Sequence, residues 1–340
     1  MVGKVTVLGA GSWGTTLAVV AARAGRSVAL WDRTSERAAE IERTRRNARF
    51  LPDLLLPPTV TVTSDLAAAC DGAAVVLLVV PTHAMRETAA AFAALGVSPV
   101  VASAAKGLER SSLLRMTETI AAAAPHLPPE RIAAISGPNL AGEIAAGQAA
   151  ATVVAAPDPD AAEAVRTALM TSRFRLYTHD DVVGVEIAGA LKNVIALGAG
   201  MGDALGAGDN AKAAFVTRGL AEIARLGVAL GANPLTFAGL AGIGDLIATC
   251  ASPLSRNRRA GQMLARGMTA ADVQQQLGQV AEGIATAEAA WELGRRLGVD
   301  LPITEQVRAV AWDGKPPLAA VADLMGREPR HELDGMTADR

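Results

Sequence analysis

Cys70 and Cys250 are the only thiols in this chain of 340 residues. They lie far apart and lack metal-ligand spacing, so neither a disulfide framework nor a cysteine-bound metal is expected. A reducing compartment, the cytoplasm, is the default, and each thiol reads as a small core residue. Histidine is also scarce. His83, His126, His179 and His331 show no metal spacing and no Ser or Cys partner, so they read as structural or exposed. The net charge is only −2. Without a cationic surplus nucleic acid is excluded as a partner, although one or two local cations still suffice for a small anion. Long apolar runs are missing as well. The stretch Ala73–Val80 is too short to span a bilayer and fits a buried parallel strand. The apolar N-terminal run is broken by Gly9, Gly11, Ser12 and Gly14 and has no cleavage site after it. Stable membrane insertion and a signal peptide are therefore not expected.

What the chain does have is apolar mass. Hydrophobic residues make up 51% and charged residues 19%, which predicts a packed globular protein, and the length allows two domains. The first half alternates β-rich and helical runs. Strands are predicted at Lys4–Leu8, Ser27–Trp31, Val60–Thr63, Ala73–Val80, Val100–Ser103, Ile132–Ser136, Ala151–Ala155 and Phe174–Thr178. A helix is expected from Ser12 to Ala24, closed by Gly25, and another from Thr34 to about Arg46 with Thr34 as its cap. This alternation predicts an α/β domain, a Rossmann-like, doubly wound parallel sheet over residues 1–179. After about Asp180 the β-rich runs stop. Residues 180–326 read as an all-α substrate domain, and 327–340 as a charged tail that frays. The chain allows a homodimer without requiring one.

The segment Gly9-Ala10-Gly11-Ser12-Trp13-Gly14 follows a strand and opens a helix. Gly9 makes the tight turn, Gly11 lets the backbone approach a pyrophosphate, and Gly14 lets helix and strand pack closely. The helix N-terminus then offers free N–H groups to the phosphates. In this context the loop binds a dinucleotide. Asp32 stands where a ribose-binding acid belongs and favours NADH, whereas the next residue, Arg33, suits the 2′-phosphate of NADPH. The two oppose each other, so the sequence leaves the choice of cofactor open.

Lys192 lies in the apolar helical run Glu186–Ala196. A lysine there either snorkels at the helix edge or has a task, because burying its charge is costly. Burial also lowers a lysine's pKa toward the range useful for proton transfer. Asp245 and Thr249 are four residues apart, on one helical face, and Asp245 can pair with Lys192. Lys106 follows a predicted strand and so lies at the sheet's carboxyl edge, where ligands bind. Its alternative is a surface loop lysine. Ser136-Gly137-Pro138-Asn139 also follows a strand, and taken alone it equally fits an ordinary turn. Ser255-Arg256-Asn257 can hold a phosphate, but without other context it reads better as a solvated helix start.

These blocks occur in the order and spacing of a known family. The chain resembles the bacterial NAD(P)-dependent glycerol-3-phosphate dehydrogenases over about Lys4 to Gly314. The resemblance rests on Gly9–Ala18, Asn47–Pro52, Ala105–Glu109, Ser136–Glu143, Gly189–Val194, Gly208–Asn210, Thr217–Leu220, Leu240–Leu246, Ser255–Asn257 and Val280–Gly283. It implies reversible reduction of dihydroxyacetone phosphate, a small phosphate substrate, to sn-glycerol 3-phosphate by NADH or NADPH, supplying phospholipid synthesis. It implies Lys192 as the proton carrier and Lys106 as a contact of both cofactor and substrate. Gly137, Asn139, Asp245, Ser255, Arg256 and Asn257 are the implied substrate contacts. Ser12, Trp13, Arg33, Ala141, Arg256, Val280 and Glu282 join the glycine loop at the cofactor. Two residues depart from the family pattern. Asn139 stands where many members have Ser or Thr, and Asp32 is not a uniform family residue. Two rival readings are a related dehydrogenase acting on hydroxy-acid carboxylates and a non-catalytic dinucleotide sensor, which would have no use for Lys192.

Overall fold

The computed structural model describes residues 3–278, 281–329 and 331–332. The chain forms two compact units. The first runs to Ala105 and again from Met116 to Val182; the second comprises Lys106–Arg115 and everything from Val183 on.

Ten strands lie in the first unit: β1 (Lys4–Leu8), β2 (Val28–Trp31), β3 (Arg46–Asn47), β4 (Leu51–Leu55), β5 (Val60–Thr63), β6 (Ala73–Leu78), β7 (Val100–Ser103), β8 (Ile132–Ser136), β9 (Ala150–Ala155) and β10 (Phe174–His179). Eight of them form one sheet in the order β10-β9-β8-β7-β6-β1-β2-β5, and β3 and β4 pair separately. Helices cover both faces. Val5, Val7, Leu30 and Leu77 pack with Leu17 and Val19 on one face, while Leu8, Val76 and Leu78 meet Phe92 and Ile120 on the other. Burial on both faces explains why these strands read as continuous apolar runs. The sheet is not wholly parallel, as the sequence had suggested, because β9 runs antiparallel to β8. The segment joining them carries only a five-residue helix, Ala141–Ala145.

Helix α1 (Ser12–Arg23) follows the glycine loop and ends as predicted at Gly25, whose φ of +81° suits a residue without a Cβ. Helix α2 (Ser35–Thr44) starts after Thr34, but the Thr34 side chain makes no capping bond. The Asp32 carboxylate instead accepts the Thr34 N–H at 2.9 Å, an Asx-type turn that sets the helix start.

The second unit is helical. Its central helix, Val182–Ala204, is apolar enough to cross a membrane, yet 89% of its most apolar window is buried inside the protein. A helix that is apolar all round belongs in a core. The helices Asp209–Ala229, Asp245–Ala251, Arg256–Ala265, Ala270–Leu277, Glu282–Leu297, Pro302–Trp312 and Pro317–Met325 follow it in sequence. Leu108 and Leu113, from the segment Lys106–Arg115, belong to the same core. That segment is held by Arg115, which donates to Glu186 at 2.7 Å. The tail expected to fray lies mostly outside the described residues. Of the part described, Arg327 pairs with Asp300, and the Glu332 carbonyl accepts from Arg218 at 3.0 Å.

Candidate active site

Two lysines of the second unit meet on one carboxylate. Lys192 Nζ donates to Asp245 Oδ1 at 2.6 Å and to Thr249 Oγ1 at 2.7 Å. Lys106 Nζ donates to Asp245 Oδ2, also at 2.6 Å. Asp245 is 1% and Lys192 6% exposed, so Lys192 does not snorkel to the surface. Each carboxylate oxygen answers one ammonium, and the pairing of Asp245 with Lys192 expected from their residue types is present. Local structure accounts for the placement. Asp245 is the first residue of the α-helix Asp245–Ala251, which continues directly from the π-helical segment Leu240–Gly244. Thr249 follows one turn later on the same face and donates back to the Asp245 carbonyl at 2.7 Å.

Lys106 holds its proton less firmly than a lysine in water. Desolvation lowers the Lys106 pKa from 10.5 to about 8; Asp245 opposes the shift and Lys192 adds to it. A cluster of this kind can donate a proton to a ligand oxygen and take it back near neutral pH.

A second layer of amides fixes this geometry. Asn193 Nδ2 donates to the Lys106 carbonyl at 3.4 Å, Asn257 Nδ2 donates to Asn193 Oδ1 at 2.8 Å, and the Gly283 N–H donates to Asn257 Oδ1 at 3.0 Å. Helices meet here at backbone distance. A Cβ on Gly261 would lie 1.9 Å from the Leu197 carbonyl oxygen, which only glycine avoids. Asn257 therefore joins helices and keeps one Nδ2 hydrogen for a ligand. The Ser255 hydroxyl accepts the Arg258 N–H and so caps the helix Arg256–Ala265. Arg256 is exposed at the first position of that helix. Desolvation by the surrounding chain lowers its pKa against the pull of Glu282.

The remaining expected residues, Val280 aside, lie in the first unit. Gly9 has φ +116°, and its N–H donates to the Trp31 carbonyl at 3.0 Å. A Cβ on Gly14 would lie 1.8 Å from the Gly9 carbonyl oxygen, whereas one on Gly11 would meet nothing within 4 Å. The space over Gly11 is the cradle a pyrophosphate needs. No side chain caps α1 and its first turn has no acid, so its N–H groups and dipole suit phosphate. The residues present fit a dinucleotide. Trp13 packs edge-on against Phe174, with ring centroids 6.4 Å apart, so its backbone rather than its ring belongs to the loop. The Thr16 hydroxyl donates to the Ala141 carbonyl at 3.1 Å, which places Ala141 against α1. At the end of β8, Gly137 has φ +150° and Asn139 Nδ2 donates to Thr152 Oγ1 at 3.0 Å. Asn139 Oδ1 and Ser136 Oγ are buried without a hydrogen-bond partner. Arg33 is exposed. Val280, expected at the cofactor, lies outside the described residues. Gly14→Ala is expected to cost ~2 kcal/mol from forced backbone displacement. It should also weaken NADPH binding at least ~tenfold, as read by denaturant unfolding and fluorescence titration.

Sequence reasoning passed over Asn193, although it is a polar residue on the same apolar helix as Lys192, the feature that made Lys192 conspicuous. It also passed over Arg37, whose signal was only its position five residues after Asp32.

The N-terminal model of the NAD-dependent glycerol-3-phosphate dehydrogenases matches residues 4–162 and the C-terminal model residues 181–322. A glycerol-3-phosphate dehydrogenase [NAD(P)+] of Frankia casuarinae is 51% identical, over 97% of this chain and 98% of its own. One from Chlorobium phaeobacteroides is 45% identical, over 97% and 99%. The crystal structure of glycerol-3-phosphate dehydrogenase from Coxiella burnetii superposes with a TM-score of 0.91 at 37% identity, over 96% of this chain and 99% of that one. The chain therefore belongs to the NAD(P)-dependent glycerol-3-phosphate dehydrogenase family.

Proposed function

We propose that this dehydrogenase reduces dihydroxyacetone phosphate to sn-glycerol 3-phosphate with Lys192 as its proton carrier. The carrying observation is the buried cluster in which Asp245 holds Lys192 and Lys106 at 2.6 Å each. When bound, NADH or NADPH supplies the hydride that reduces the ketone carbon. Negative charge then develops on the ketone oxygen. Lys192 meets that charge with an ammonium and gives up one proton; in the oxidative direction it takes the proton back. Asp245 and Thr249 fix the direction of its N–H bonds, so little reorganisation is needed during reaction. Lys106 adds a second positive charge at the substrate. Arg256, with the N-terminus of its helix, binds the phosphate, and Asn257 adds its remaining N–H. The glycine loop of the first unit binds the pyrophosphate. The product feeds glycerophospholipid synthesis. Two buried free cysteines support a cytoplasmic setting.

The test is NADH and NADPH oxidation with dihydroxyacetone phosphate beside a panel of 2- and 3-oxo acids. The phosphate ester should exceed every oxo acid by at least ~10² in kcat/KM; an oxo acid that matches it would move the protein to the rival substrate class.

The Lys106 pKa of about 8 gives a pH prediction. Its charged form is complete well below that value and is lost as pH rises through it. Attraction for the anionic substrate should fall accordingly. The kcat/KM for dihydroxyacetone phosphate is expected to be flat below about pH 8 and to decline ~tenfold per pH unit above it. Lys106→Met should lower the plateau and abolish this limb. A limb that persists unchanged in Lys106→Met would assign it to another group.

A further inference from the structure

Asp32 follows β2, beside the glycine loop, where a free carboxylate would accept the ribose 2′-hydroxyl of a non-phosphorylated cofactor. It is not free. Arg37, on the first turn of α2, donates through Nε to Oδ2 and through Nη2 to Oδ1, each at 2.7 Å. The Thr34 N–H adds a third bond, and Asp32 is 1% exposed. A bidentate guanidinium cancels the carboxylate's charge and, with the Thr34 N–H, takes three of its roughly four acceptor positions. The surroundings are cationic. Arg33 is exposed next to Asp32. Phe50 has Arg37 and Arg49 over its ring, at 6.0 and 5.1 Å from the centroid. This turn is tied to the glycine loop by Asn47, whose Nδ2 donates to the Ala10 carbonyl at 2.9 Å and to Thr15 Oγ1 at 2.8 Å. Arg37 thus pairs with the acid itself, Arg33 follows the acid in sequence, and Arg49 shares the Phe50 ring with Arg37.

We propose that Arg37 sets the cofactor preference: by masking Asp32 it removes the group that would select a free 2′-hydroxyl, and the arginine cluster then favours a 2′-phosphorylated adenine nucleotide. The inference rests on the reading of Gly9–Gly14 as the dinucleotide loop. It makes Arg37 a positioning residue that acts through Asp32, distinct from a residue that only touches the cofactor.

The experiment is calorimetric titration of adenosine 2′,5′-bisphosphate and adenosine 5′-monophosphate into wild type, Asp32→Asn, Arg37→Met and the double variant, with the NADPH-to-NADH ratio of kcat/KM as a second readout. Wild type should bind the bisphosphate at least ~tenfold more tightly, a difference of about 1.4 kcal/mol. Arg37→Met exposes the acid and should erase that preference. Adding Asp32→Asn to it should restore most of the loss, which a purely direct Arg37–phosphate contact would not allow. Asp32→Asn alone should leave monophosphate affinity within ~threefold of wild type, because a masked carboxylate does not grip the 2′-hydroxyl. That arm stands even if Arg37→Met fails to fold. Tighter or equal binding of the monophosphate by wild type, a ratio unmoved by Arg37→Met, no recovery in the double variant, or a ~tenfold loss of monophosphate affinity in Asp32→Asn would each overturn the proposal. Failure of both nucleotides and of NADPH to bind wild type would instead overturn the loop assignment.

Discussion

Lys192→Met is expected to lower kcat for dihydroxyacetone phosphate by ~10²–10⁴ while the NADPH dissociation constant stays within ~threefold of wild type. Methionine has an apolar stem of similar length, so the helix Val182–Ala204 keeps its packing and the site loses only its proton and charge. The cofactor loop lies in the other compact unit, built on α1 and β1, which separates the two readouts. Steady-state rates and a fluorescence titration measure them. A fall in cofactor affinity that matched the fall in turnover would point to general damage instead.

Asp245→Asn should be nearly as severe and should add a stability defect. The substitution keeps the shape but removes the carboxylate charge that faces both Lys192 and Lys106. Breaking a buried ion pair in this way costs ~3–5 kcal/mol. The pH dependence carries the sign. Without Asp245 a lysine can relieve the repulsion by losing its proton in the folded state, while the unfolded chain keeps that lysine protonated up to its ordinary pKa. The unfolded state then binds more protons over that window, so stability of the variant rises with pH. Its deficit should be largest near pH 6 and shrink by pH 9. Urea unfolding at both values measures this. A deficit that is independent of pH would mean that lost packing, rather than unbalanced lysine charge, causes it. Turnover should fall by at least ~10², because Lys192 is no longer aimed.

Much of this was legible in the sequence because a few residues break local expectation. A Gly-rich turn between strand and helix has few uses, and a lysine in an apolar helix calls for a counter-charge, which Asp245 provides. Other features depend on tertiary context that composition does not carry. The direction of β9, antiparallel to β8 and parallel to β10, has no local mark in the link after β8. The allegiance of Lys106–Arg115 to the helical unit follows from Leu108, Leu113 and the Arg115–Glu186 pair, none of which marks a domain change locally. Asp32 looked like a ribose acid because its position fits, and only the side chain of Arg37 shows that the carboxylate is already taken. The resemblance made Asn257 a substrate contact, yet most of its amide joins Asn193 to Gly283. In each case the residue type was informative and its partner was not, because the partner comes from a distant part of the chain.

The central claim is that Lys192, aimed by Asp245, delivers the proton at the ketone oxygen. Single-turnover oxidation of NADPH by an excess of Lys192→Met enzyme with saturating dihydroxyacetone phosphate tests it most directly, since product release does not enter. The account predicts an absorbance decay slower than wild type by at least ~10² with full cofactor occupancy; a decay at the wild-type rate would contradict it.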